Sequence, residues 1–135
     1  MKKITIASLF TIMLLAFAAC GGSAASNSGS SSSTANSNTI TMGQSNFVGS
    51  TSVTIKAGQS VNFVDPSSSG GTHILAIGTN GTFTSATGAP TSLNTASGLT
   101  INAGQTQTIV FPTAGVYHVT CIIHPAMNVT VTVNS

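Results

Sequence analysis

From Thr39 onward apolar and polar positions alternate. Ile40 and Met42 flank Thr41, Val53 and Ile55 flank Thr54, and Val61 and Phe63 flank Asn62. The same period of two returns at Leu99 and Ile101, at Ile109 and Phe111, at Tyr117, Val119 and Cys121, and at Val129, Val131 and Val133. Such alternation turns one face of a segment to a core and the other to water, so each segment reads as a half-buried strand. Turn-forming runs separate them: Ala57-Gly58-Gln59, Asp65-Pro66, Ser69-Gly70-Gly71, Ala103-Gly104-Gln105 and Pro112 to Gly115. No helix of standard length is predicted. Short strands joined by turns predict an all-β domain over residues 39–135, an antiparallel sandwich or barrel. The stretch from Gly78 to Ser97 is polar and weakly patterned, and is expected to form an excursion between two sheets.

The first 38 residues follow a different pattern. Lys2 and Lys3 precede an apolar run from Ile4 to Ala19, and small residues Ala18 and Ala19 precede Cys20. Charge, apolar run and small-residue cleavage site, in that order, predict an export signal over residues 1–20. The run is short for a retained membrane anchor, which is the alternative. Phe17-Ala18-Ala19-Cys20 resembles a bacterial lipoprotein signal, with Phe17 where Leu is usual. That resemblance implies a lipid anchor on Cys20 and a place in the periplasm or on the outer face of the cytoplasmic membrane. An ordinary signal-peptidase site at Ala16-Phe17-Ala18 would instead release a soluble protein. Residues 21–38 are almost entirely Gly, Ser, Ala, Asn and Thr, a composition that cannot bury a core and predicts a flexible tether. Its reach would be about 20–25 Å.

Charge narrows the function classes. The chain holds three Lys and Arg together and one Asp or Glu; these are Lys2, Lys3, Lys56 and Asp65, so there is no Arg and no Glu. Without residues 1–20 only Lys56 and Asp65 remain, and their charges cancel. A domain with no basic patch has nothing to meet phosphates, which excludes nucleic acid as a partner.

Cysteine usage points to a metal. With Cys20 acylated or removed, Cys121 is the one thiol of the exported chain. A free thiol in an oxidising compartment is a liability, whereas a metal-bound thiolate is protected. Cys121 opens the run Cys121-Ile122-Ile123-His124-Pro125-Ala126-Met127, a C-x2-H-x2-M spacing. Cys121 ends a strand on its inward face, and a tight turn would bring His124 and Met127 back over the same end. His73 starts a strand whose inward face continues with Leu75 and Ile77. Two His and one Cys with a weaker Met form the blue-copper donor set, so His73, Cys121, His124 and Met127 are the candidate ligands of one type 1 copper ion. Each has a plainer reading as a core residue; their joint spacing favours ligation. His118 points the opposite way from Cys121 by strand parity and is expected to be an ordinary solvated histidine. Tyr117 reads as core. Asn80-Gly81-Thr82 and Asn128-Val129-Thr130 match the glycosylation pattern, which carries little meaning behind a bacterial-type signal.

Residues from about Val53 to Val133 resemble the cupredoxins, especially the plastocyanin and amicyanin branch. The resemblance rests on Val53 to Phe63, on Phe111 to Gly115 with Tyr117 and Cys121, and on the short ligand loop with Pro125 directly after His124. It implies a Greek-key antiparallel β-sandwich with one copper at one end, and an electron carrier rather than an enzyme. Two positions depart from the family. Ile74 stands where an Asn after the first His ligand helps to pin the ligand loop, and Asn128 stands where Gly usually follows the axial Met, a place where a left-handed backbone is expected. Ile123 stands where Pro is usual, which frees a backbone N–H expected to bond the thiolate.

The expected function is single-electron transfer by Cu(II)/Cu(I) cycling in a monomeric, exported protein. Redox partners would dock transiently on an apolar patch near His124, formed by Pro125, Ala126 and Ala89-Pro90, with membrane contact only through Cys20. A copper storage or delivery protein would use the same ligands to pass the metal itself. A metal-free immunoglobulin-like interaction domain would bind no copper.

Overall fold

The computed structural model describes residues 38–135. The expected signal and all but the last residue of the expected tether lie outside them. Ten strands follow in order: β1 (Thr39–Met42), β2 (Phe47–Val48), β3 (Ser52–Lys56), β4 (Ser60–Val64), β5 (Thr72–Thr79), β6 (Thr82–Phe83), β7 (Leu99–Asn102), β8 (Thr106–Val110), β9 (Gly115–Cys121) and β10 (Asn128–Asn134). A single 3-10 turn, Ser67–Ser69, is the only helical element among the described residues. None of these has a helix long and apolar enough to cross a membrane.

The strands form two sheets, one in the order β2-β1-β4-β8 and the other β3-β10-β9-β5, with β6 and β7 both on the remaining edge of β5. The inward faces are those that alternation predicts. Ile40, Met42, Val61, Phe63 and Ile109 come from the first sheet; Leu75, Ile77, Val119, Val129 and Val131 come from the second, and all share one core. Phe63 and Phe111 are fully buried, each worth roughly 1.5–3 kcal/mol of burial. The Tyr117 ring packs 5.6 Å from that of Phe111, and its hydroxyl donates to the Thr113 carbonyl at 2.9 Å. Tyr117 is therefore core, as expected.

The expected all-β sandwich is present, and one feature of it differs from the expectation. The pairs β1–β4 and β3–β10 are parallel, so both sheets are mixed. Alternation encodes which face is buried and carries no strand direction. The turn after β3 carries the chain across to the other sheet, so β3 cannot pair with β4 and takes the C-terminal β10 instead. The stretch from Gly78 to Ser97 is the expected excursion: it leaves β5 and reaches β8 of the other sheet, where Ala89 and Pro90 lie beside Thr108, Ile109 and Val110. It forms β6, then a turn-rich loop anchored by fully buried Leu93, whose carbonyl accepts from Ile77 N–H at 2.9 Å, and it returns to the same edge of β5 as β7.

Candidate metal centre

Pairing of β5 with β9 builds one wall of the site. Leu75 lies opposite Cys121 in this antiparallel pair. Opposite residues project to the same face, so His73, two residues from Leu75, lies diagonally across from Cys121 on the inward face. Both are fully buried. The chain then folds back through two tight turns: His124 N–H donates to the Cys121 carbonyl at 3.3 Å, and Met127 N–H donates to the His124 carbonyl at 2.9 Å. Cys121 N–H returns a bond to the Met127 carbonyl at 3.1 Å. These bonds set His124 and Met127 over the end of β9. His124 is partly exposed and Met127 is buried.

The donor atoms converge. Cys121 Sγ lies 3.9 Å from His73 Nδ1 and 3.6 Å from His124 Nδ1, and one donor atom of each of the three residues lies within 4.8 Å of the other two. With metal–sulfur and metal–nitrogen bonds of about 2.3 and 2.0 Å, trigonal coordination requires sulfur–nitrogen separations of about 3.7 Å. The observed separations match that requirement. One soft thiolate and two imidazoles also suit both copper oxidation states. The residues present therefore fit a copper ion.

Burial pushes the pKa of His73 below its ordinary value of 6.5, and neighbouring His124, its ring centroid 5.1 Å away, pushes the same way. Asp65 and the backbone of Gly43 oppose this. A histidine held neutral is a histidine ready to ligate.

Loop support comes from residues that sequence reasoning did not assign to it. Asn128 Nδ2 donates to the Pro125 carbonyl at 3.0 Å and to Asn80 Oδ1 at 3.3 Å, while Asn80 N–H donates to Asn128 Oδ1 at 2.7 Å. Thr120 Oγ1 donates to the Met127 carbonyl at 3.1 Å and accepts from Gly81 N–H at 2.9 Å. The β5–β6 hairpin thus ties down the ligand loop where the family uses the Asn that Ile74 replaces. Ile74 contributes through its backbone, its carbonyl accepting from Ile122 N–H at 2.8 Å. The two apparent glycosylation motifs were the available signal, since their asparagines meet across 48 residues. Positive φ belongs to Asn80 and not to Asn128, which begins β10. Gly81, at φ +76°, lets the hairpin approach: a Cβ there would sit 2.9 Å from Pro125 Cγ. Asn128→Ala is expected to cost about 1–2 kcal/mol through these lost bonds and to speed copper loss. Denaturant unfolding and chelator competition check both parts.

Other expectations divide. His118 is exposed and bonds Thr130 Oγ1 at 3.3 Å, as parity predicted. The expected bond from Ile123 N–H to the thiolate is absent, since among the described residues Sγ meets only the two Nδ1 atoms. The turn is closed by His124 N–H instead. Ala89 and Pro90 do not join a surface patch at His124. They are buried, and they line a cleft together with Thr108, Ile109, Val110 and Pro112. Ile123, 46% exposed, takes their place beside exposed Pro125 and Ala126.

A family model for copper-binding proteins of the plastocyanin/azurin family matches residues 34–134. No curated protein sequence matches the chain. Among solved structures it is similar to amicyanin from Paracoccus versutus (Thiobacillus versutus), with 24% identity and a TM-score of 0.52 over 74% of this chain and 83% of that one. It is also similar to a reduced Trp-to-Tyr mutant of amicyanin, with 18% identity and a TM-score of 0.54 over 74% of this chain and 84% of that one. At these identities the likeness is one of fold. Sandwich and donor cluster together define a cupredoxin whose cofactor is a single type 1 copper ion. The match over residues 34–134 is more specific, and the chain belongs to the plastocyanin/azurin family of copper-binding proteins.

Proposed function

We propose that this protein is an exported one-electron carrier whose copper is held by His73, Cys121, His124 and Met127. The observation that carries the reading is the convergence of one buried thiol and two imidazole Nδ1 atoms at one end of a rigid sandwich. Bound copper supplies the Cu(II)/Cu(I) couple. The chain's part is to hold the donors in one arrangement through both states, and the bonds that tie Cys121, His124 and Met127 into consecutive turns support that role. Four donors from the chain suit a carrier rather than an enzyme, since catalysis needs an open position. Burial of His73, Cys121 and Met127 argues against a copper delivery protein, whose donors must be reachable by the recipient.

Partly exposed His124 is the proposed route for the electron. Ile123, Pro125 and Ala126 around it offer an apolar contact for redox partners. With Lys56 and Asp65 the only charged side chains after residue 20, docking would be weakly steered and nearly independent of salt. Residues 1–20 are proposed as the export signal, Cys20 as the lipid anchor and residues 21–38 as the tether of a monomeric domain held outside the cytoplasmic membrane.

Titration of the apo protein with Cu(II) tests the reading. One equivalent should give an intense visible thiolate-to-copper band, and the copper should stay bound through repeated reduction and reoxidation. Absence of the band, or loss of copper on reduction, rejects the carrier. Axial substitution tests Met127. Met127→Gln brings a harder oxygen donor, favours Cu(II) and should lower the reduction potential; Met127→Leu favours Cu(I) and should raise it. Voltammetry of the two variants should place them on opposite sides of the wild type, by tens of millivolts each, given about 59 mV per tenfold change in relative affinity.

A further inference from the structure

Asp65 is the one carboxylate side chain in the chain, and it is fully buried. It sits just after β4, fixed on three sides. Its N–H donates to the Gln105 carbonyl at 2.8 Å, its carbonyl accepts from Gly104 N–H at 2.7 Å, and its Oδ1 accepts from the Ser69 hydroxyl. Its Oδ2 has no hydrogen-bond partner, and neither does Nε2 of His73, also fully buried. These two orphaned atoms face each other at 3.8 Å. A buried polar atom without a partner is costly, and a movement of about 1 Å closes this pair to hydrogen-bond distance.

We propose that Asp65 is a positioning residue for the copper site, its Oδ2 accepting the Nε2–H of His73 so that Nδ1 is left unprotonated and aimed at the metal. The proposal rests on the reading of His73 as a ligand. Each ring nitrogen of a neutral histidine has one role, donor or acceptor, and the bond made by one nitrogen decides the other. Nδ1 is the nitrogen that faces Cys121 Sγ, 3.9 Å away. The proton must then be on Nε2, where the waiting acceptor is a carboxylate. A carboxylate behind a ligating imidazole fixes ring orientation and raises ligand basicity. Its negative charge in a buried site also favours the more positive metal state, Cu(II). Among the described residues no other anionic side chain can do this, and Lys56, exposed on β3, is the one Lys or Arg. The backbone of Gly43, which also comes near the ring, is the rival partner.

Two measurements test it. In the full-length apo protein, long-range proton–nitrogen NMR should find the His73 proton on Nε2, far downfield and slow to exchange. Asp65→Asn should move that resonance upfield, because a neutral acceptor bonds more weakly. In the copper protein, Asp65→Asn should keep the visible band and raise the reduction potential by about the 59 mV of a tenfold loss in preference for Cu(II). Asp65→Glu should restore part of it. A proton on Nδ1 overturns the proposal even if the variants fail to fold. So does an Asp65→Asn protein with the wild-type resonance and potential, which would leave the ring to Gly43. A wild-type protein that gives no thiolate band would reject the copper ligands themselves, while the apo spectrum still judges the Asp65–His73 pair.

Discussion

Cys121→Ser is expected to remove the visible absorption completely and to weaken copper binding by more than the roughly 10–100-fold typical of losing an outer-shell partner. The band arises from the thiolate, and a hydroxyl supplies neither the sulfur orbital nor the charge. The fold should survive. Cys121 is fully buried, and burying a hydroxyl there costs about 1–3 kcal/mol if it is unpaired. Two Nδ1 atoms lie 3.6 and 3.9 Å from the sulfur position, so a small shift of either ring offers the hydroxyl an acceptor. His118→Ala is the control. His118 lies on the same strand but is exposed, so its loss should leave colour and affinity unchanged. Absorption spectra and chelator competition on the two variants decide. A colourless His118→Ala protein would break the assignment.

Apo protein should lose stability as pH falls below about 6.5, well before the range in which carboxylates protonate. The cause is His73, whose pKa burial holds below 6.5 in the folded state. Above 6.5 both folded and unfolded histidine are neutral, and the full stability is present. As pH drops, the unfolded chain takes the proton first, so stability is lost until pH passes through the depressed folded value. Copper binds only the folded, neutral site. It should raise the melting temperature at neutral pH, by about 4 kcal/mol of stabilisation where free copper exceeds its dissociation constant a thousandfold. The gap between holo and apo should persist into mild acid. Calorimetry of both forms between pH 7 and 4 measures this. An apo melting temperature that stays flat down to pH 5 would show that His73 is not held neutral by the fold.

Most of the donor set was legible because it is local. Cys121, His124 and Met127 lie within seven residues on one loop, and a spacing that short constrains geometry whatever the rest of the chain does. His73 was readable by parity, since Leu75 and Ile77 mark the inward face of its strand. The loop support was not readable. Asn80 and Asn128 look like surface glycosylation positions until the β5–β6 hairpin and the start of β10 are side by side. Ala89-Pro90 misled for the opposite reason: an apolar pair in a polar stretch suggests a surface patch, but that stretch is anchored to the sheet through Leu93 and both residues are buried.

The sequence by itself determined that the domain is all-β, which faces of its strands are buried, that charge plays little part in its recognition, and that a thiolate, an imidazole and a thioether share one loop. These follow from period-two patterning, composition and near spacing, which act over a few residues. Only the tertiary structure decided that β1–β4 and β3–β10 run parallel, that the hairpin around Asn80 braces the ligand loop, and that Asp65 stands behind His73. Each of these joins positions far apart in the chain. Such contacts are selected by how whole sheets pack, because alternation says that a residue faces inward and carries no information about what it meets there.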